Sequence, residues 1–365
     1  MKKILGVLLT LAMSLALPLS AAASTTPTQT QQVRLQGSNR YETAVSIANE
    51  LAKQHNIDFS KGEKFQNVVL ASGNNFPDAL AGAPLANQEN APILLVDNTP
   101  ENSTTTFDFI QAHVSTSGNV FLLGGTGVIP QNFTDKLVSM GFAPQNIEQL
   151  GGQNRNETSL IISKRLQNPL KEVVLVTDSY FADALTVAPT ATSVFTPILL
   201  VADTGLTPDQ KAFCDSINNV VIFGTLASKT NEIYPRAMGL TGANKYDSNA
   251  IWAKQVKNKP FIALATGEDY PDALAGAVLV GSLGVGGGVV LMTNPNQLPS
   301  ETISALNVIS YNDKQALTYT NAQGQYSSFP AVMYPTLYIL GGTGAVSDSV
   351  QSQAATILNG PGTAK

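Results

Sequence analysis

The chain has one cysteine, Cys214, and two histidines, His55 and His113. A lone cysteine excludes an intramolecular disulfide framework, and its apolar neighbours Phe213 and Ile217 mark it as a buried structural thiol. So little histidine leaves no pattern of His and carboxylate ligands at zinc spacing. No nucleophile elbow accompanies it for a serine triad. Catalytic residues, metal ligands and cofactors are therefore expected to be absent, which makes the chain a non-enzyme. Charged residues make up only 13 % of the sequence, and acids outnumber bases by 26 to 21 for a net charge of −5. No basic stripe offsets that balance, so nucleic acid is not an expected partner. Past the first residues no apolar run is long enough to span a bilayer, and the membrane is not a partner either.

What is present begins with an address. Lys2 and Lys3 open a short apolar run from Ile4 to Leu17, followed by Pro18 and the small residues Ala21, Ala22, Ala23 and Ser24. That order reads as a secretory signal peptide, residues 1–23, cleaved after Ala23. Residues 24–33 are mostly Ser, Thr, Gln and Pro without apolar periodicity, and are expected to form a flexible leader. The rest is expected to be secreted and to act outside the membrane.

The dominant signal is internal repetition. Asn39-Arg40-Tyr41-Glu42-Thr43 returns as Asn154-Arg155-Asn156-Glu157-Thr158 and as Asn244-Lys245-Tyr246-Asp247-Ser248. Phe76-Pro77-Asp78-Ala79-Leu80 returns as Phe181-Ala182-Asp183-Ala184-Leu185 and Tyr270-Pro271-Asp272-Ala273-Leu274. An apolar run follows each time, at Pro92 to Val96, Pro197 to Val201 and Val289 to Met292. A strand ending in glycine closes each unit, at Val120 to Gly127, Val220 to Ala227 and Leu337 to Gly344. These motifs divide the chain into repeats at 34–147, 148–236 and 237–365. Each repeat alternates short, fully apolar strands with helical stretches, the pattern of a parallel α/β sheet. A polar stretch from Ser310 to Ser328 reads as a surface excursion of the third repeat.

Asn39, Asn154 and Asn244 each precede a helical pattern by one residue, with an acid three positions on, as in a capping box. Arg40, Arg155 and Lys245 are harder to explain, because a cation in the first helical turn opposes the macrodipole. Two readings remain open for them: an ion pair to a neighbouring acid or repeat, or an anion site with Tyr41 beside it. Asp78, Asp183 and Asp272 fall in a first helical turn, where a carboxylate is stabilising, and a divalent-cation ligand is the alternative. The glycines at 124–127 and 341–344 lack the Lys-Ser or Lys-Thr of a phosphate loop, so a tight turn accounts for them.

Taken in order, these four motifs resemble the cell-wall-binding repeat type 2 family of Gram-positive bacteria. The resemblance covers nearly the whole chain after the leader. It implies three similar small parallel-sheet subdomains in a pseudo-threefold arrangement. It also implies non-covalent attachment to an anionic, teichoic-acid-like glycopolymer of the wall. The alternative is a structural surface-layer or adhesive protein whose main partner is another surface protein. The residues that would carry polymer binding are Asn39, Arg40, Tyr41, Asn154, Arg155, Asn244, Lys245, Asp78, Asp183 and Asp272. Asn156, Ala182, Lys245 and Gly224-Thr225-Leu226-Ala227 depart from the pattern.

Overall fold

A computed structural model describes residues 29–362, apart from 75–76, 169, 256–260, 284–286, 314–316, 321–325 and 330–333. The expected signal peptide and residues 24–28 of the leader lie outside the described residues.

Strand β1 (Gln32–Leu35) comes first among the described residues. In the first repeat β2 (Val68–Ser72), β3 (Ile93–Val96), β4 (Val120–Leu123) and β5 (Ile147–Leu150) form a parallel sheet of order β3-β2-β4-β5. The second repeat builds the same sheet, β7-β6-β8-β9, from β6 (Glu172–Thr177), β7 (Ile198–Val201), β8 (Asn219–Phe223) and β9 (Met238–Leu240). The third repeat supplies β10 (Phe261–Thr266) and β11 (Val289–Thr293), then a short antiparallel hairpin of β12 (Leu317–Thr320) and β13 (Tyr326–Phe329), then β14 (Thr336–Leu340). The inner strands are buried on both faces, which is why they read as unbroken Val, Leu and Ile runs.

The third sheet borrows its fourth strand. β1 pairs in parallel with β14, giving the order β1-β14-β10-β11 and closing the molecule on itself. This corrects the expectation of a flexible leader through residue 33. Thr30 is 2 % exposed and its N–H donates to Asn359 Oδ1 at 2.7 Å. The Gln31 carbonyl accepts the Leu337 N–H at 2.7 Å. A strand held chiefly by backbone bonds needs no apolar periodicity, so polar Gln32 gave no sign of it.

Two helices per repeat position everything else. The axial helices, Pro77–Gln88, Phe181–Ser193 and Pro271–Ser282, pack on one another along the pseudo-threefold axis. Small residues allow this. A Cβ at Gly281 would stand 2.6 Å from Pro189 O of the neighbouring axial helix, while Gly82 and Gly276 let their helices lie close on Leu123 and Leu340 of their own sheets. Pro84 lies inside a helix that continues to Gln88 rather than ending it. The cap helices, Arg40–Gln54, Arg155–Arg165 and Lys245–Gln255, each lie between their own sheet and the axial helix of the preceding repeat, with the first set against the third. The polar excursion begins later than Ser310, because a helix runs Ser300–Asp313. Ser310 is buried there, and its hydroxyl lies 3.2 Å from the Leu358 carbonyl and 3.0 Å from that of Gly360. Cys214 is fully buried, and burial pushes its thiol up to about 12.

Candidate functional site

In each sheet the chain leaves the first inner strand (β2, β6 or β10) for one side and returns on its other side. The crevice at the carboxyl ends of β2 and β4, of β6 and β8, and of β10 and β14 is thus a topological switch point, where open α/β sheets hold ligands. The cap and axial helices begin at this same end. Nearly all the repeated polar residues therefore gather on one face of the molecule.

The caps are built three times over. Asn39 Oδ1 accepts the N–H groups of Tyr41 and Glu42, and Asn244 Oδ1 those of Tyr246 and Asp247. Asn154 Oδ1 accepts from Glu157. The acid reaches one residue further back than in a strict capping box: Glu42 accepts the N–H of Ser38, Glu157 that of Gln153 and Asp247 that of Ala243, each at 2.8–2.9 Å. These bonds use up the donors that an anion at the helix end would want.

The bases have partners of a kind that spacing alone did not suggest. Each reaches across to the carbonyl just past the end of the first inner strand of its own repeat. Arg40 donates to Gly73 O, Arg155 to Asp178 O at 2.6 Å, and Lys245 to Gly267 O at 2.7 Å. A cation at the start of these helices is tolerated because its charge sits over a strand-end carbonyl, away from its own helix axis. Two bases also meet acids: Arg40 lies 3.7 Å from Asp269 of the third repeat, and Lys245 lies 3.1 Å from Glu268.

Polar groups from the loops after the inner and next strands complete the clusters, and no motif had pointed to Asn74, Asp97, Asp178, Glu268 or Asn294. The Asn74 amide donates to Asp97 at 3.0 Å, and the Tyr41 hydroxyl also bonds Asp97. Asn156 donates to Asp178 Oδ2 at 3.1 Å. The Tyr246 hydroxyl is 2.8 Å from Glu268 and 2.6 Å from Asn294. Hydrogen bonds hold the carboxyls of Asp97 and Glu268 below their ordinary values, so both stay ionised. Every cluster thus offers fixed donors and acceptors side by side.

Asp183 and Asp272 turn toward the glycine turns that follow β8 and β14. Asp183 is 2 % exposed, and its carboxylate accepts both the N–H and the hydroxyl of Thr225 at 2.8 Å. It therefore braces the glycine turn after β8 instead of lining the face. Asp272 lies against the matching turn at Gly341 and takes a hydrogen bond from Thr43 of the first cap helix. Burial raises both carboxyls above their ordinary range, partly offset by those hydrogen bonds. Asp78 holds the same position in its axial helix, with its side chain outside those described.

The turns have φ values of 116° at Gly124, 74° at Gly224 and 98° at Gly341, which only glycine adopts freely. A Cβ on Gly224 would fall 2.0 Å from Asp183 Cγ. Gly224→Ala should therefore cost about 2–4 kcal/mol in chemical denaturation. Gly127→Ala, where a Cβ would meet nothing within 4 Å, should cost under about 1. Equal losses at both positions would remove the aspartate–glycine contact as the cause.

His55 and His113 end helices at the opposite pole from this face. Burial lowers the pKa of each, and His113 stacks on Phe59 at 4.0 Å. Among the described residues no three His, Cys, Asp or Glu side chains are grouped as metal ligands.

Fold and face together define a three-repeat α/β protein with one set of polar clusters, repeated around an axis. A family model described as cell wall binding domain 2 matches residues 34–134, 149–234 and 240–351, and the chain belongs to that family. It is 29 % identical over 252 residues to the N-acetylmuramoyl-L-alanine amidase LytC of Bacillus subtilis (strain 168), covering 67 % of this chain and 47 % of that one. It is 31 % identical over 253 residues to the Amidase enhancer of the same organism, covering 67 % of this chain and 33 % of that one. The chain thus spans less than half the length of either relative. Two solved structures share the fold. Cwp8 from Clostridium difficile has a TM-score of 0.74 at 20 % identity, over 90 % of this chain and 52 % of that one. Cwp6 from Clostridium difficile has a TM-score of 0.71 at 19 % identity, over 96 % and 51 %.

Proposed function

We propose that the chain is exported and holds non-covalently to the bacterial wall by binding an anionic secondary wall polymer, without cleaving it. The observation that carries this reading is the placing of Arg40, Arg155 and Lys245: one cation per repeat, at equivalent positions on one face. A repeating polymer meets a repeating protein there, and weak contacts at linked sites gain avidity. A chain of net charge −5 repels a polyanion at long range, so attraction must be local to these clusters. Binding without cleavage fits the buried carboxylates, the raised thiol of Cys214 and the histidines at the far pole.

The test is sedimentation with isolated walls, before and after hydrofluoric acid strips phosphate polymers. Wild-type protein should pellet only with untreated walls, less in high salt, and should release no reducing sugar or free amine. A variant with Arg40, Arg155 and Lys245 all changed to Ala should bind at least about tenfold more weakly than any single variant, with its circular dichroism intact. Chelator-sensitive binding that survives the triple substitution would move the site to the carboxylates.

A further inference from the structure

Aromatic rings lie beside two of the three bases. Phe181 opens the second axial helix and Tyr270 immediately precedes the third, at equivalent positions of the repeated motif. Their rings are 5.8 Å apart, tilted by 56°, and Tyr180 follows at 5.9 Å from Phe181. The Arg40 guanidinium carbon stands 6.0 Å from the centre of the Tyr270 ring. Lys245 Nζ stands 5.1 Å from the centre of the Tyr246 ring. All four rings are only partly buried. Tyr180, Phe181 and Tyr270 thus form a ridge of three neighbouring rings with Arg40 over its Tyr270 end, and Lys245 stands over Tyr246 in the third repeat's own cluster.

We propose that this ridge reads the sugars of the wall polymer: pyranose rings lie on Phe181 and Tyr270, while anionic groups on either side of them meet Arg40 and Lys245. This rests on the polymer-binding reading above and adds to it the neutral part of the ligand. One face of a pyranose carries several C–H groups of slight positive charge, which suit the negative face of an aromatic ring. Asp269 and Glu268, beside the two cations, are placed to accept hydrogen bonds from sugar hydroxyls, which a phosphodiester does not offer. If the rings served only to plug the top of the axis, neither partial exposure nor cations over their faces would be required.

The competitor that tests this is the phosphate-free oligosaccharide released from the same walls by hydrofluoric acid. It should displace wild-type protein from untreated walls, and failure to compete would overturn the proposal. A Phe181→Leu, Tyr270→Leu double variant keeps the axis apolar but removes the rings. It should melt within a few degrees of wild type yet bind walls at least tenfold more weakly, with the deficit persisting in high salt. A folded double variant that binds as wild type would also overturn the ridge. Should that variant not fold, competition against wild-type protein decides alone. Failure of the triple base variant to lose binding would count against the charge reading, while leaving the competition result for the ridge in place.

Discussion

Glu172→Gln should stabilise the folded protein at pH 8 by about 3 kcal/mol, and by under about 1 kcal/mol at pH 5. Glu172 opens β6, is 2 % exposed, and its Oε2 has no hydrogen-bond partner. It has the same parity as Val174 and Val176, which face the central core, so its carboxyl is set among apolar groups. Burial raises its pKa from 4.5 to about 7. The folded protein therefore holds this proton more tightly than the unfolded chain does. The stability associated with that proton is complete below pH 4.5 and is lost as pH rises through 7. Wild-type stability should fall across that window, and the Gln variant, with nothing to ionise, should be flatter. Urea denaturation of both proteins at several pH values makes the measurement. A constant offset between the two curves would show that the carboxyl does not titrate in the fold.

The second large effect is expected at Arg34, in the strand that closes the ring. Its guanidinium donates to Gly341 O at 3.1 Å, Val346 O at 2.8 Å, Asp348 Oδ1 at 3.0 Å and Gln351 Oε1 at 2.7 Å, all in the third repeat. The side chain is 14 % exposed, so its bonds to the two carbonyls and Gln351 are partly shielded from water, while Asp348 stays exposed. Arg34→Ala should cost about 2–4 kcal/mol, the range for stranding carbonyls that had charged donors. Arg34→Lys should recover only part, because one ammonium cannot match a planar fork. Hydrogen exchange localises the damage. The amides of Leu337 and Gly341, which donate to Gln31 O at 2.7 Å and Leu35 O at 2.8 Å, should exchange faster while those of β6 are unchanged. An unaltered denaturation midpoint would show that β1 is held without the arginine.

Much of this fold is legible in the residues themselves. Fully apolar runs such as Val120 to Leu123 can only be buried strands, and Asn39 followed by Glu42 can hardly be other than a helix start. Periodicity is a local property, however, and the features it missed are not local. β1 pairs with a strand some 300 residues away, and most of its side chains contribute little apolar surface. Arg40 gave two plausible readings because its actual acceptor, the carbonyl of Gly73, has no side chain to mark it. Asp183 resembled a surface ligand because its helical position is polar by rule, whereas its partner Thr225 comes from a turn that the other repeats build with Gly-Gly. The aromatic ridge was hidden in plain view. Phe181 and Tyr270 belong to a repeated motif, yet only the fold brings repeats two and three together edge to edge.

The closing strand also determines how the molecule would behave under tension. β1 enters at the pole opposite the polar face, where Thr30 is tied to Asn359 near the end of the last helix. Both ends of the described chain therefore leave from one pole, and the bases gather at the other. With the polar face gripped and the amino-terminal end pulled, the load runs along the β1–β14 seam, parallel to its strands. Strands loaded in this direction share the strain over every ladder bond at once, whereas a strand pulled sideways gives way bond by bond. Arg34 adds a lateral rivet near the gripped end of that seam. A ring sealed in this manner resists a pull applied between its polar face and its amino-terminal end.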